Sequence, residues 1–212
     1  RQMCIRDSTK AEAAETRELI LDTALDVFSR KGYSHTTFVD IAKQIGLTKG
    51  AVYWHFKTKP DLLVALIEAS LSRKCLRINS PDNQTDSIES LRSCYVESAR
   101  VVLADPDLRK FEFFINFQIE WSEELIAEVR AHLAEMGEDP FRKYTIAILQ
   151  LQESGVIDRT LDAEKLGSLL IATWTGMLRM VLIGTIEEQE MAYRLEYSFD
   201  SMFKDIAKKE QE

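Results

Sequence analysis

Between Thr37 and Lys59 the chain carries two helical periods of about eight residues, each opened by a threonine and separated by Gly46-Leu47. Thr37-Phe38-Val39-Asp40 has the form of a capping box, in which the hydroxyl covers an orphan N–H and the carboxylate reaches back. Ile41, Ala42 and Ile45 follow it, and after the turn Thr48 opens a second period carrying Val52 and Phe56. Helices this short do not persist alone in water, so both must pack on a neighbour. The neighbour is the preceding segment, Glu12 to Lys31, with Leu21, Ala24, Leu25, Val27 and Phe28 on its apolar face and Gly32 as its stop. This pattern dictates a compact three-helix unit with a tight turn of the helix-turn-helix kind.

A further capping box, Thr58-Lys59-Pro60-Asp61, starts a longer helix carrying Leu62, Leu63, Leu66, Ile67 and Leu71. Asn79 to Thr85 reads as a loop, and helical spacing resumes over Asp86–Ala104, Pro106–Gln118, Ser122–Met136, Pro140–Ser154, Asp162–Gly184 and Glu187–Lys208. No run of alternating apolar and polar residues competes with this reading, and no repeat or low-complexity tract appears. The predicted fold is all-α, with about nine helices: a helix-turn-helix domain over 9-58 and a larger C-terminal helical bundle over 59-208. Arg1 to Ser8 do not begin with Met and show no helical period, and they are set aside.

The overall charge of −8 argues against a nucleic-acid partner, but its distribution reverses that inference. Up to Lys59 ten basic side chains face seven acidic ones, a net +3, which leaves −11 on the remainder. A positive end on an acidic body suits phosphates at one end and solubility at the other. Cys4, Cys75 and Cys94 lie far apart, which excludes a disulfide scaffold or cysteine-rich metal site and fits a reducing cytoplasm. Gly167 to Ile186 holds Arg179 as its only charge, which raises the question of a membrane span. The central arginine, the interspersed hydroxyls and the acidic flank of Glu187, Glu188 and Glu190 favour a helix buried by its own domain and a partner subunit.

On the helix after the turn, Val52 and Phe56 share one arc while Lys49, Gly50, Tyr53 and Trp54 occupy its neighbour. The apolar arc docks inward, and the other face has the size and charge to enter a major groove. Lys49 reaches a guanine edge or a phosphate, Gly50 lets the backbone approach, and Tyr53 offers a hydroxyl and a ring. Thr37, Thr48, His55 and Lys59 surround this face with groups suited to phosphate. For Trp54, base contact and closure of the small core are equally compatible with the sequence.

These residues also carry a family resemblance. Glu15-Thr16-Arg17, Ile20-Leu21, Ala24, Phe28, Gly32-Tyr33, Thr36-Thr37, Asp40-Ile41-Ala42, Gly46-Leu47 and Thr48 through Phe56, with Lys57, Lys59 and Leu62, resemble the N-terminal domain of the TetR family of bacterial repressors. The look is that of the drug-efflux repressors of the AcrR and TtgR kind. The resemblance implies a cytoplasmic homodimer on a palindromic operator, acting as a repressor of a multidrug efflux operon and released by a hydrophobic small molecule. By analogy Thr37, Lys49, Gly50, Tyr53, His55 and Lys59 take operator-contacting roles. The alternatives are a TetR-type sensor of a narrow metabolite or lipid, and a helical scaffold or membrane-associated adaptor.

For the C-terminal half only residue chemistry speaks. Phe113, Phe117 and Trp121 share a helical face, Phe114 and Glu120 lie beside it, and Trp174 with Met177 forms a second stripe. Rings and thioethers with a few polar groups suit a pocket for flat apolar ligands, here expected between the two stripes. Glu112 or Glu120, if inward, favours a cationic or hydroxylated compound. Release is expected through the helix from Pro60 to Arg77, read as the only covalent link, by changing a half-site spacing of roughly 34–36 Å. The last two helices carry Met191, Leu195, Tyr197, Phe199, Met202, Phe203 and Ile206 on more than one face, which predicts a homodimer through them. No metal site, no cofactor and no catalytic signature emerges; His35, His55 and His132 stand in no nucleophile, zinc or phosphate-loop motif.

Overall fold

The computed structural model describes residues 2–78, 86–135 and 142–204, with side chains from Lys10 onward. Among the described residues ten α-helices and one π-helical turn follow in order: α1 (Gln2–Lys31), α2 (Phe38–Gln44), α3 (Lys49–His55), α4 (Lys59–Arg77), α5 (Ile88–Ala104), α6 (Pro106–Phe113), the π turn (Phe114–Gln118), α7 (Glu123–Glu135), α8 (Lys143–Glu153), α9 (Ala163–Leu182) and α10 (Glu188–Phe203). No strand occurs among the described residues. The all-α reading therefore holds. Residues 79–85, Pro140 and Ile206 lie outside the described segments.

Local signals place the helix ends. The Thr37–Asp40 box closes in both directions, with Asp40 N–H donating to Thr37 Oγ1 at 3.3 Å and Thr37 N–H to Asp40 Oδ2 at 2.8 Å. The Thr58–Asp61 pair does the same at the start of α4. Gly32 stops α1 with φ +87°, a left-handed turn that a side chain would strain. Two expectations fail. The first helix extends back to Gln2, through the stretch set aside as aperiodic. The helix expected over Pro106–Gln118 stays α only to Phe113 and then widens by one residue per turn, with Ile119 N–H donating to Phe114 O at 3.1 Å.

Packing divides the chain into two units, Arg1–Ser70 with Lys110–Glu138, and Leu71–Arg109 with Asp139–Glu212. The backbone passes between them at 70/71, 109/110 and 138/139, so the expectation of a single covalent link does not hold for these units. The division also differs from a cut at 58/59. In the first unit Ile20, Ala24 and Phe28 of α1 bury against Ile41, Val52, Phe56, Leu62 and Leu63. The same core takes in Phe111, Phe114, Ile119, Leu125, Val129 and Leu133. Phe114 stacks on Phe28 with centroids 5.7 Å apart, Lys110 pairs with Asp26, and Gln118 Nε2 donates to Ser29 O at 3.2 Å. The π turn and α7 thus complete the core beneath the short helices.

The second unit is built from α5, α8, α9 and α10 around Tyr95, Ile148, Leu151, Leu170, Trp174, Leu178, Met191, Leu195 and Phe199. Met191, Leu195, Phe199 and Phe203 recur every four residues and bury one stripe of α10. Asp105, fully buried, ends α5 and opens α6 by accepting from the N–H groups of Asp107 and Leu108. Its other oxygen receives Arg73 Nε at 2.7 Å and Arg77 Nη2 at 3.2 Å. Only one face of α9 is buried; Leu169, Met180 and Ile183 stand exposed. No helix among the described residues is long and apolar enough to cross a membrane.

Candidate nucleic-acid interface

The turn at Gly46-Leu47 sets α3 on α2 so that Val52 and the following Phe56 are buried. Thr48 caps α3, accepting from Ala51 N–H at 3.2 Å, which leaves its own hydroxyl proton available to a phosphate. The outward face then carries Lys49, Gly50, Tyr53 and Trp54, all exposed. Trp54 is 74% exposed, which settles the choice left open by the sequence: it closes no core. Its ring stands edge-on to His55 at 4.6 Å.

Tyr53 is half exposed and its position is fixed. Its ring meets Phe38 edge-to-face at 4.8 Å, and Lys49 Nζ lies 5.2 Å from its centroid. Phe38 anchors the ring, the ring steadies the ammonium by cation–π attraction, and Lys49 and Tyr53 are both exposed. Gly50 has room within the protein: a β-carbon there would meet only Thr48 Oγ1, at 3.8 Å. Nothing inside the chain requires glycine at this position.

Thr37 and Lys59 are less free than the sequence reading assumed. The Thr37 hydroxyl donates to Asp40 Oδ2 at 2.6 Å, committing its proton to the cap. The carboxylate of Asp40 sits well below its ordinary range, chiefly through Lys31 at 2.7 Å and then through Thr37. Lys59 Nζ donates to Tyr33 O at 2.9 Å and Ser34 O at 3.1 Å and lies 4.7 Å from the Tyr33 centroid. Burial lowers its pKa. This ammonium ties the start of α4 to the turn after α1 rather than standing open at the rim. His55 is half-buried, and its pKa is lowered by burial and next by the charge of Arg17. Arg17, to which the sequence reading gave no role of its own, places Cζ 5.2 Å from the Phe56 centroid. Its flanking Ala13, Ala14, Ile20 and Leu21 were the available signal for a cation outside any helix-surface ion pair.

The candidate effector residues fall in different units. Phe113, Phe114, Phe117, Glu120 and Trp121 belong to the first, Trp174 and Met177 to the second. Phe114 is fully buried in the core of its unit, while Phe113 and Phe117 pair at 5.1 Å with Phe113 exposed. Glu120 is exposed and accepts a hydrogen bond from Ser34, so it does not point inward as envisaged. Trp121 Nε1 donates to Ile115 O at 3.2 Å. Trp174 is buried, with Lys74 Nζ 4.9 Å from its ring and no acceptor for its indole N–H among the described residues. Met177 lines an open groove with Met180, Ile186, Tyr193 and Tyr197. Among the described residues no group of three or more His, Cys, Asp or Glu is placed to hold a metal.

Comparison with known proteins agrees with this geometry. Residues 20–66 match the family described as "Bacterial regulatory proteins, tetR family". The chain is 27% identical over 177 residues to the HTH-type transcriptional regulator TtgR of Pseudomonas putida, covering 82% of this chain and 84% of that one. Over 64 residues, 30% of each chain, it is 55% identical to the HTH-type transcriptional regulator AcrR of Shigella flexneri. Its fold is similar to that of NalD, the secondary repressor of the MexAB-OprM multidrug efflux pump in Pseudomonas aeruginosa. That likeness has a TM-score of 0.69 at 24% identity and covers 92% of this chain and 96% of NalD.

Proposed function

We propose that the chain, as a TetR-family transcriptional regulator of the AcrR/TtgR type, represses a multidrug efflux operon as a cytoplasmic homodimer released by a hydrophobic small molecule. The observation that carries the operator half is the outward face of α3. Lys49, Gly50, Tyr53 and Trp54 are exposed together on one helix face, and an operator groove uses an ammonium, a bare backbone and rings. Two such units, one per subunit, read a palindrome. The efflux reading takes its support from the overall likeness to TtgR and from the role that NalD's name records.

Pairing is assigned to α9 and α10, whose Leu169, Met180, Ile183, Tyr193 and Tyr197 are exposed on a single chain. Effector recognition is assigned to the second unit around Trp174, whose buried indole N–H has no acceptor among the described residues and matches a carbonyl, phenol or ether of a flat ligand. The deciding experiment is a footprint of the full chain on the DNA adjoining its gene, repeated with a panel of dyes, antibiotics, flavonoids and fatty acyl compounds. Two protected half-sites one helical turn apart, lost with an apolar aromatic compound, are the expected result. Protection that no compound relieves refutes the release half, and absence of protection refutes the operator half.

A further inference from the structure

We propose that Arg17 is a phosphate-contacting residue of the DNA-binding unit, closing together with His55 on one backbone phosphodiester beside the C-terminal end of α3. The proposal rests on the operator reading above and adds a contact from α1, which that reading leaves as scaffold.

The guanidinium lies over the buried Phe56 ring at 5.2 Å, an attachment through the ring face that uses none of its N–H donors. Among the described residues it makes no hydrogen bond or ion pair. Its own helix offers no carboxylate, because the residues three and four positions away on either side are Ala13, Ala14, Ile20 and Leu21. The group is half-buried, so it is held in place without being neutralised.

The His55 ring neighbours the same Phe56 ring, with centroids 6.3 Å apart, and its protonation is disfavoured by burial and by the charge of Arg17. A cation and an imidazole set next to each other with no counter-charge between them gain nothing from their proximity in the free protein. An inserted phosphodiester changes the balance. The guanidinium fork donates two N–H groups to the anionic oxygens, and the neutral imidazole donates one. The clamp also fixes the end of α3 whose start presents Thr48, Lys49 and Gly50, so the recognition helix is held to the backbone at both ends.

The test compares the full-length wild type with Arg17→Gln, Arg17→Ala and Arg17→Lys on two probes, sheared genomic duplex DNA and the duplex upstream of the gene. Binding is followed by anisotropy across a salt series. Arg17→Gln and Arg17→Ala are expected to weaken binding to both probes by about tenfold and to flatten the log–log salt dependence by about one ion per subunit. Arg17→Lys keeps the wild-type slope with a smaller loss. Thermal melting runs in parallel, and if Arg17→Ala fails to fold, Arg17→Gln and Arg17→Lys decide. An unchanged salt slope in a folded Arg17→Gln overturns the proposal, as does a loss confined to the upstream duplex. If the wild type binds neither duplex, the operator reading itself is wrong. If the wild type binds both and Arg17→Gln binds equally well, only the clamp is.

Discussion

Gly167 on α9 lies so close to Thr145 on α8 that a β-carbon built on it would stand 2.6 Å from the Thr145 backbone nitrogen and 2.8 Å from its Cα. Backbone cannot yield as a side chain can. Gly167→Ala is therefore expected to separate the two helices and to destabilise the chain by about 1–3 kcal/mol or more, despite the better helix propensity of alanine. The melting temperature reads this directly. A Gly167→Ala protein as stable as wild type would show that α8 and α9 cross with slack.

Gly50 presents the opposite case. Its β-position is open within the chain, so Gly50→Ala should hold or slightly raise the melting temperature while weakening operator binding. A variant that keeps full affinity would remove the argument that the backbone of α3 comes close to DNA at this point.

Lys49→Ala and Tyr53→Phe separate recognition from packing. Both side chains belong to exposed residues, and the Tyr53 ring retains its Phe38 contact without the hydroxyl. Each substitution should cost roughly 1–3 kcal/mol of operator binding per half-site, with secondary structure and oligomeric state unchanged. Retention of both variants on the upstream DNA at wild-type affinity would mean that another face of the unit reads the operator.

His132 introduces a pH dependence into the first unit. Its Nδ1 lies 2.9 Å from Glu128 O and its Nε2 2.9 Å from Asp61 Oδ1. The Glu128 carbonyl first, and Asp61 with its negative charge next, raise the imidazole pKa above its ordinary value. The folded state thus binds the proton more tightly than the unfolded chain. The added stability is complete below the ordinary histidine range and fades as pH rises through the raised value. The effect is small because both groups are partly solvated. Melting temperatures across pH 5 to 8 should fall more steeply with rising pH for wild type than for His132→Gln, and parallel curves would contradict the pairing.

The exposed apolar side chains of α9 and α10 predict a dimer of this chain at micromolar concentration. Light scattering is the measurement, and Tyr193→Lys combined with Tyr197→Lys should shift the mass toward a single chain. A monomeric wild type across that range would leave the exposed face unexplained by self-association.

Much of the first unit was legible because its determinants are local. The Thr37–Asp40 and Thr58–Asp61 boxes span four residues each, and the arc division of Thr48 to Phe56 follows from the helical repeat alone. What escaped notice depends on long sequence separation. In the sequence Lys59 looks like an open cation, because the carbonyls that hold it, Tyr33 and Ser34, lie about 25 positions earlier. Phe114 looks like a pocket ring in the sequence, because nothing in its neighbourhood reveals that Phe28, 86 residues upstream, stacks against it. The indole of Trp174, without an acceptor among the described residues, is likewise invisible in the sequence, since an unmade hydrogen bond leaves no pattern there.

The π turn at Phe114–Gln118 bears on how chains of this shape are compared with one another. A helix that takes in one extra residue hides it where no loop marks its presence, and every side chain on one side of it is rotated by about 100° relative to a regular helix. A homologue whose helix is regular there would be one residue shorter, and a gap-free alignment drawn across the segment would pair Phe113 or Phe117 with residues facing a different direction. The ancestry of such a chain is recorded in the middle of a helix, where insertions are seldom sought.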